Sequence, residues 1–157
     1  MSMPNTVAKH PSASRQMDNV IAIASGKGGV GKTWFSIALT QALAQEGQKV
    51  LLFDGDLGLA NIDVQLGLMP NHDIAGVIAG ASTIDQAIHA FDSGGFDVIA
   101  GNSGSGGLAS LTPRKLQGLC DGLVTVANRY DLVVLDLAAG LDENLRLLAG
   151  LSGSCLV

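Results

Sequence analysis

The sequence predicts an α/β domain, in which a mostly parallel sheet is flanked by helices in three layers. Three observations carry that prediction. Short apolar runs alternate with stretches of helical periodicity. A glycine-rich loop stands between the first run and the first helical stretch. Three of the predicted strands are also followed at once by residues that carry chemistry, at Gly26–Thr33, at Asp54–Asp56 and at Asp136. Ligands of such sheets lie beyond the carboxyl ends of the strands, so these three segments should meet at one edge.

Met1–Asp18 is polar, holds Pro4 and Pro11, and has no apolar centre, so it is expected to be a flexible tail of residues 1–18 and not an export signal. Residues 19–157 are expected to form one folded domain. Val20–Ala24 is a short apolar run suited to a buried strand. From Trp34 to Glu46, helical spacing puts Phe35, Ala38, Leu39, Ala42, Leu43 and Glu46 on one face, with Gly47 as a C-cap. Lys49–Phe53 is a second strand, ending at Asp54. Thr83 and Gln86 form a capping box ahead of Ile84, Ala87, Ile88 and Phe91 at helical spacing, which predicts a helix there. Phe96–Ala100 is the third strand. Thr112-Pro113 opens a helix, with a capping hydroxyl before a first-turn proline, and Leu116, Leu119, Cys120, Leu123 and Ala127 line its inner face. Leu132–Leu135 is the fourth strand, Asp142–Leu151 a further helix, and Cys155–Val157 begins another apolar segment.

Gly26-Lys27-Gly28-Gly29-Val30-Gly31-Lys32-Thr33 fits G-x-x-x-x-G-K-S/T. Glycines let backbone N–H groups wrap phosphates without Cβ clashes. Lys32 should reach the β- and γ-phosphates, and the Thr33 hydroxyl should ligate Mg²⁺. The helix that follows directs its positive end at the same anion. Asp136 closes an apolar strand, where a carboxylate can hold Mg²⁺ through water, and Ala138-Ala139-Gly140 leaves room for a γ-phosphate. Asp54 and Asp56 stand two residues apart at a strand end, one to support the metal and one to orient water. Phosphoryl transfer needs little beyond such positioning and charge neutralisation.

Composition narrows the function classes. The chain has 157 residues, 47% of them hydrophobic and only 15% charged, which excludes a disordered chain. A net charge of −5 gives no strong DNA-binding signal. Cys120 and Cys155 lack CxxC pairing and read as reduced thiols, which predicts a cytoplasmic protein. His10, His72 and His89 are scattered without zinc-ligand spacing. No apolar run approaches the roughly 20 residues that cross a bilayer.

Lys27, the extra lysine in the loop, makes it resemble the deviant Walker A signature of the MinD/ParA family. Asp54–Asp63 (D-G-D-L-G-L-A-N-I-D) resembles the matching stretch of MinD and its flagellar relative FlhG, and Tyr130–Gly140 resembles their Walker B region. Gly101-Asn102-Ser103-Gly104 resembles a further FlhG stretch. The resemblance runs from Val20 to Val157. It implies an ATPase that is an ATP-dependent homodimer and a switch for positioning the flagellum or division site, with ATP and Mg²⁺ as cofactors and a regulatory partner protein reading its state. It also implies catalytic roles for Lys27, Lys32 and Asp56. Lys27 would reach across to the partner's nucleotide, and Asp56 would align the attacking water. Gly26, Lys27, Gly28, Gly29, Val30, Gly31, Lys32, Thr33 and Trp34 would bind the nucleotide, and Thr33, Asp54 and Asp136 would support the metal.

Trp34 stands where the family usually has a second Thr or Ser whose hydroxyl touches the α-phosphate. The N-terminal stretch lacks the segment with which FlhG-type proteins stimulate their partner GTPase. The family's adenine-contacting region and its C-terminal membrane-targeting helix would lie beyond Val157, so the fold is expected to be incomplete, and peripheral attachment at the inner membrane would need that absent segment. Two other readings stay open. One is a shortened, nucleotide-binding but catalytically inactive module. The other is a P-loop amidotransferase or synthetase such as the cobyrinic acid diamide synthase group, which would need a substrate domain.

Overall fold

Apolar runs become interior strands. The computed structural model describes residues 16–101, 111–140 and 142–157. Its elements run β1 (Met17–Ser25), α1 (Lys32–Gln45), β2 (Val50–Gly55), α2 (Ile62–Leu66), α3 (Ile74–Ala79), β3 (Ile88–Phe91), β4 (Phe96–Ile99), α4 (Pro113–Ala127), β5 (Leu132–Ala139), α5 (Glu143–Ala149) and β6 (Ser152–Leu156). The sheet order is β3-β4-β2-β5-β1-β6. Every pairing is parallel except that of β3 with β4. All six residues of β2 are buried, as expected of a strand covered on both faces.

Alternation along the strands splits the core in two. Val20, Ala22, Leu51, Phe53, Val133 and Leu135 face α3, α4 and α5. Ile23, Val50, Leu52, Val98 and Val134 face α1 and α2. This is the expected three-layer arrangement. The α4 face holds as read: Leu116, Leu119, Cys120, Leu123 and Ala127 are all buried, and Thr112 caps the helix by accepting from Lys115 N–H at 3.3 Å.

The structure corrects several expectations. β1 begins at Met17, so Met17 and Asp18 belong to the sheet and not to the expected tail. The helix expected after Thr83 closes a single turn. Its capping box does form, with Thr83 N–H donating to Gln86 Oε1 at 2.9 Å and Gln86 N–H to Thr83 Oγ1 at 3.3 Å. From Ile88 onward, however, the chain pairs antiparallel with β4, from Ile88 opposite Ile99 to Phe91 opposite Phe96. The hairpin turn makes this possible: Gly94 and Gly95 N–H both reach the Phe91 carbonyl, and Gly95 has a φ of 75° that favours glycine. The ladder and the Phe91–Phe96 ring contact outweigh one unsupported helical turn.

The inner face of α1 also differs. Phe35 is 43% exposed and Glu46 is exposed, while Ser36 and Thr40 are fully buried. Their hydroxyls are satisfied locally, Thr40 Oγ1 donating to the Ser36 carbonyl at 2.7 Å, so small polar residues let the helix lie close to the sheet. The helix predicted to Leu151 ends at Ala149, and Ser152 already belongs to β6. Asn102, Ser103 and Gly104 lie outside the described residues.

Candidate functional site

Residues Ser25 to Lys32 turn the chain from β1 into α1. Two of the glycines are required by geometry, since Gly29 and Gly31 have φ of 73° and 88°. Ser25 Oγ donates to the Lys27 carbonyl at 2.9 Å and ties down the start of the turn. Gly31 is the N-cap of α1, which has no side-chain cap and no acidic residue in its first turn. α3, α4 and α5 are each capped by a side chain, from Asp73, Thr112 and Asp142. Leaving the N–H groups of α1 without such an acceptor suits an anion supplied from outside. The space a Cβ would take at Gly26, Gly28, Gly29 or Gly31 is open.

Behind the loop, parallel pairing of β2 with β5 sets Asp54 opposite Asp136. Gly55 permits this close approach, because a Cβ there would meet Leu137 Cδ2 at 2.9 Å and the Asp136 carbonyl at 3.0 Å. Asp136 is 1% exposed. Its Oδ1 lies 3.6 Å from Lys32 Nζ and 3.0 Å from Ser36 Oγ, which also has the Lys32 carbonyl oxygen at 2.9 Å as an alternative acceptor. Buried carboxylate and half-buried ammonium therefore hold one another on the cleft side of the sheet.

Asp54 acts on the loop in front of it. Its Oδ1 accepts from Asp56 N–H, and its Oδ2 accepts from Asn61 and Ile62 N–H, all at 3.2 Å. It thus caps α2 from a distance, where the Asn61 side chain does not. Burial pushes the Asp54 carboxyl up to about 7; the N–H groups of Ile62 and Asp56 hold it down, and the charges of Asp136 and Asp56 add to the rise. Asp56 Oδ1 accepts from Leu59 N–H at 2.9 Å and from Gly58 N–H at 3.3 Å. These bonds fold 56–61 into a turn over the glycine-rich loop.

The two loops enclose a cleft of about 630 Å³. Of the residues expected in the site, Lys27, Gly28, Gly29, Val30, Gly31, Lys32, Thr33, Trp34 and Asp56 line it together. Gly26 lies outside the lining, and Asp54 and Asp136 stand behind the wall. Ala138 and Ala139 line it as expected from their size. Sequence reasoning missed Asn61 and Gln65, which also line the cleft. Their signal was a polar pair at i and i+4, and Gln65 Nε2 donates to Asn61 Oδ1 at 3.5 Å. Ser36 was missed too, although it stands one helical turn after Lys32.

No group of three or more His, Cys, Asp or Glu side chains among the described residues forms a ready cation cage. A hard cation such as Mg²⁺, which usually keeps its waters and takes one or two carboxylates plus phosphate oxygens, fits this donor set if it arrives with a nucleotide. No helix of the described residues is long and apolar enough to cross a membrane.

Comparison with known proteins agrees with this geometry. A family model described as an AAA domain matches residues 18–150. The antiactivator FleN of Pseudomonas aeruginosa is 40% identical over 125 residues, covering 80% of this chain and 44% of FleN. The flagellum site-determining protein YlxH of Helicobacter pylori is 35% identical over 121 residues, covering 77% of this chain and 41% of YlxH. Among solved structures, the septum site-determining protein MinD of Pyrococcus horikoshii, complexed with Mg-ADP, superposes with a TM-score of 0.75 at 32% identity, over 85% of this chain and 55% of that one. The chain thus spans about half the length of these relatives, or less.

Proposed function

Since this chain belongs to the MinD/ParA family of P-loop ATPases, near its flagellar branch, we propose that it binds and hydrolyses ATP and acts as a dimerisation switch that positions the flagellum or division site. One observation carries the reading: an uncapped α1 N-terminus and a glycine loop with open space at each of its glycines, set beside the Lys32–Asp136 pair. Together they offer N–H donors and a cation to a phosphate chain.

In this reading Lys32 turns from Asp136 toward the β- and γ-phosphates. Asp136 stays behind it, held by Ser36. Thr33 would hold Mg²⁺ directly, with Asp136 and Asp54 supporting it through water. Mg²⁺ bound with the nucleotide supplies charge neutralisation at the β- and γ-phosphates. Asp56 uses Oδ1 to shape its own turn, and its Oδ2, without a hydrogen-bond partner among the described residues, orients the attacking water. Lys27 is exposed at the cleft and free to meet a partner's nucleotide. A regulatory protein would read the dimeric state, and membrane attachment would be peripheral.

The test is Mg–ATP binding followed by phosphate release in the same sample, with Lys32→Ala as control, and sedimentation with a non-hydrolysable analogue for Lys27→Ala. Binding and turnover lost in Lys32→Ala, with a nucleotide-dependent dimer weakened in Lys27→Ala, support the switch. A monomer that stays monomeric with nucleotide bound overturns it. Binding without turnover would leave only a nucleotide-binding module.

A further inference from the structure

Several large apolar side chains of the described residues are exposed, and three of them, Val30 (58%), Trp34 (69%) and Leu59 (80%), line the nucleotide cleft. Single exposed apolar residues need no explanation, but a cluster on the wall of one concave site does. Trp34 is the chain's only tryptophan. It follows directly on Thr33 in the first turn of α1, and no ring or hydrogen-bond contact occupies its indole among the described residues. The Ser or Thr that the family resemblance leads one to expect at this position would have offered a hydroxyl to a phosphate. An indole offers a flat apolar face instead, which a phosphate cannot use.

We propose that Trp34 is the nucleoside platform of this site: the ribose and base of the bound nucleotide lie against the indole face. The proposal rests on the nucleotide-binding reading above and deepens it. The polyphosphate is taken by the N–H groups and lysines of the loop, so the part of the ligand that leaves the loop is the nucleoside. Trp34 is the one aromatic side chain that lines the cleft among the described residues, and it stands in the first turn of α1, directly after the loop. Stacking on a π-face is tolerant of base identity, so the platform favours a nucleoside over bare polyphosphate without selecting among bases. The carbonyl and hydroxyl contacts that would choose a base are not supplied by Trp34.

The experiment titrates the full chain with Mg–ADP and with Mg–tripolyphosphate, following Trp34 fluorescence and, independently, heat, for wild type, Trp34→Phe and Trp34→Ala. The expected result is a fluorescence change with Mg–ADP and little with tripolyphosphate. Trp34→Ala should weaken Mg–ADP about tenfold, in line with aromatic stacking, while tripolyphosphate affinity stays unchanged and Trp34→Phe retains most of the ADP affinity. Three results overturn the proposal. The first is Trp34→Ala binding Mg–ADP as wild type does. The second is an equal loss of ADP and tripolyphosphate in Trp34→Ala, which would make Trp34 a structural support of the loop. The third is a fluorescence change that follows protein concentration instead of ligand, which would place the indole against a second copy of the chain. If wild type binds neither ligand, the nucleotide-binding reading fails and this one falls with it.

Discussion

Gly101→Ala should unsettle the loop that carries Asp56, and Ala60→Gly should rescue it. Gly101 is buried and its backbone lies outside the left-handed region, so a side chain there meets a steric obstacle only. A Cβ at Gly101 would come within 2.2 Å of Ala60 Cβ. Carbon atoms prefer about 3.5–4.0 Å, so Ala60 must retreat by roughly 1.5 Å. Ala60 is 4% exposed and precedes Asn61 and Ile62, whose N–H groups reach Asp54 Oδ2 at 3.2 Å. A shift of that size takes them out of hydrogen-bond range. Overpacking costs about 1–3 kcal/mol and the two lost bonds to a buried carboxyl add about 1–3 together, against which the stiffer unfolded chain returns about 0.4–1. The expected loss is about 3 kcal/mol. Ala60→Gly alone should cost about 1–2 kcal/mol through the lost methyl and added backbone freedom. Urea denaturation of the four proteins, with matching slopes, measures the coupling. If the clash is the cause, the double variant is about as stable as Ala60→Gly alone. Simple additivity of the two losses would refute the reasoning.

Two further outcomes follow from the buried groups. Asp54 holds its proton up to about pH 7 in the folded protein, against an ordinary value of 3.8. Between those values the unfolded chain gives up the proton while the folded one keeps it, so this carboxyl makes stability fall as pH rises through the window and leaves it level above. The effect is on the order of 4 kcal/mol. The stability difference between wild type and Asp54→Asn should change across that range, and a difference independent of pH would contradict the assignment. Cys155 is exposed on β6, whereas burial, and then the charge of Asp121, push the Cys120 thiol up to about 11. A chromogenic disulfide reagent should therefore titrate one thiol in the folded protein and the second only on unfolding; two equal rates would argue against it.

The glycine-rich loop was legible because its pattern is local. A strand, eight residues and a helix leave the backbone few arrangements, and the structure places eight residues of that loop and its helix start, Lys27 to Trp34, on one cleft. The meeting of that loop with the segment after β2 was legible for the same reason, since parallel strands put their carboxyl ends at one edge. The stretch from Thr83 to Phe91 was misread because its apolar spacing serves a helix and a short strand about equally well. The Asp92–Gly95 turn, which decides between them, was the signal left unused. The α1 face was misread because hydrophobicity was taken as the only reason to be inside, and Ser36 and Thr40 are inside on hydrogen bonds.

What the sequence by itself determined was the class of fold, the place of the glycine-rich loop between β1 and α1, and the set of carboxylates at the sheet edge, because each follows from period, composition or a contiguous motif. Only the tertiary structure decided what each carboxylate does. Asp54, Asp56 and Asp136 look alike in the chain, yet one ties down the α2 loop, one faces the cleft, and one holds Lys32. The reason is physical. A carboxylate's role depends on which N–H groups, cations and solvent surround it, and those neighbours come from residues as far apart as Ser36 and Asp136. Packing of α1 against β5 brings them within 3 to 4 Å, and no local spacing encodes that distance.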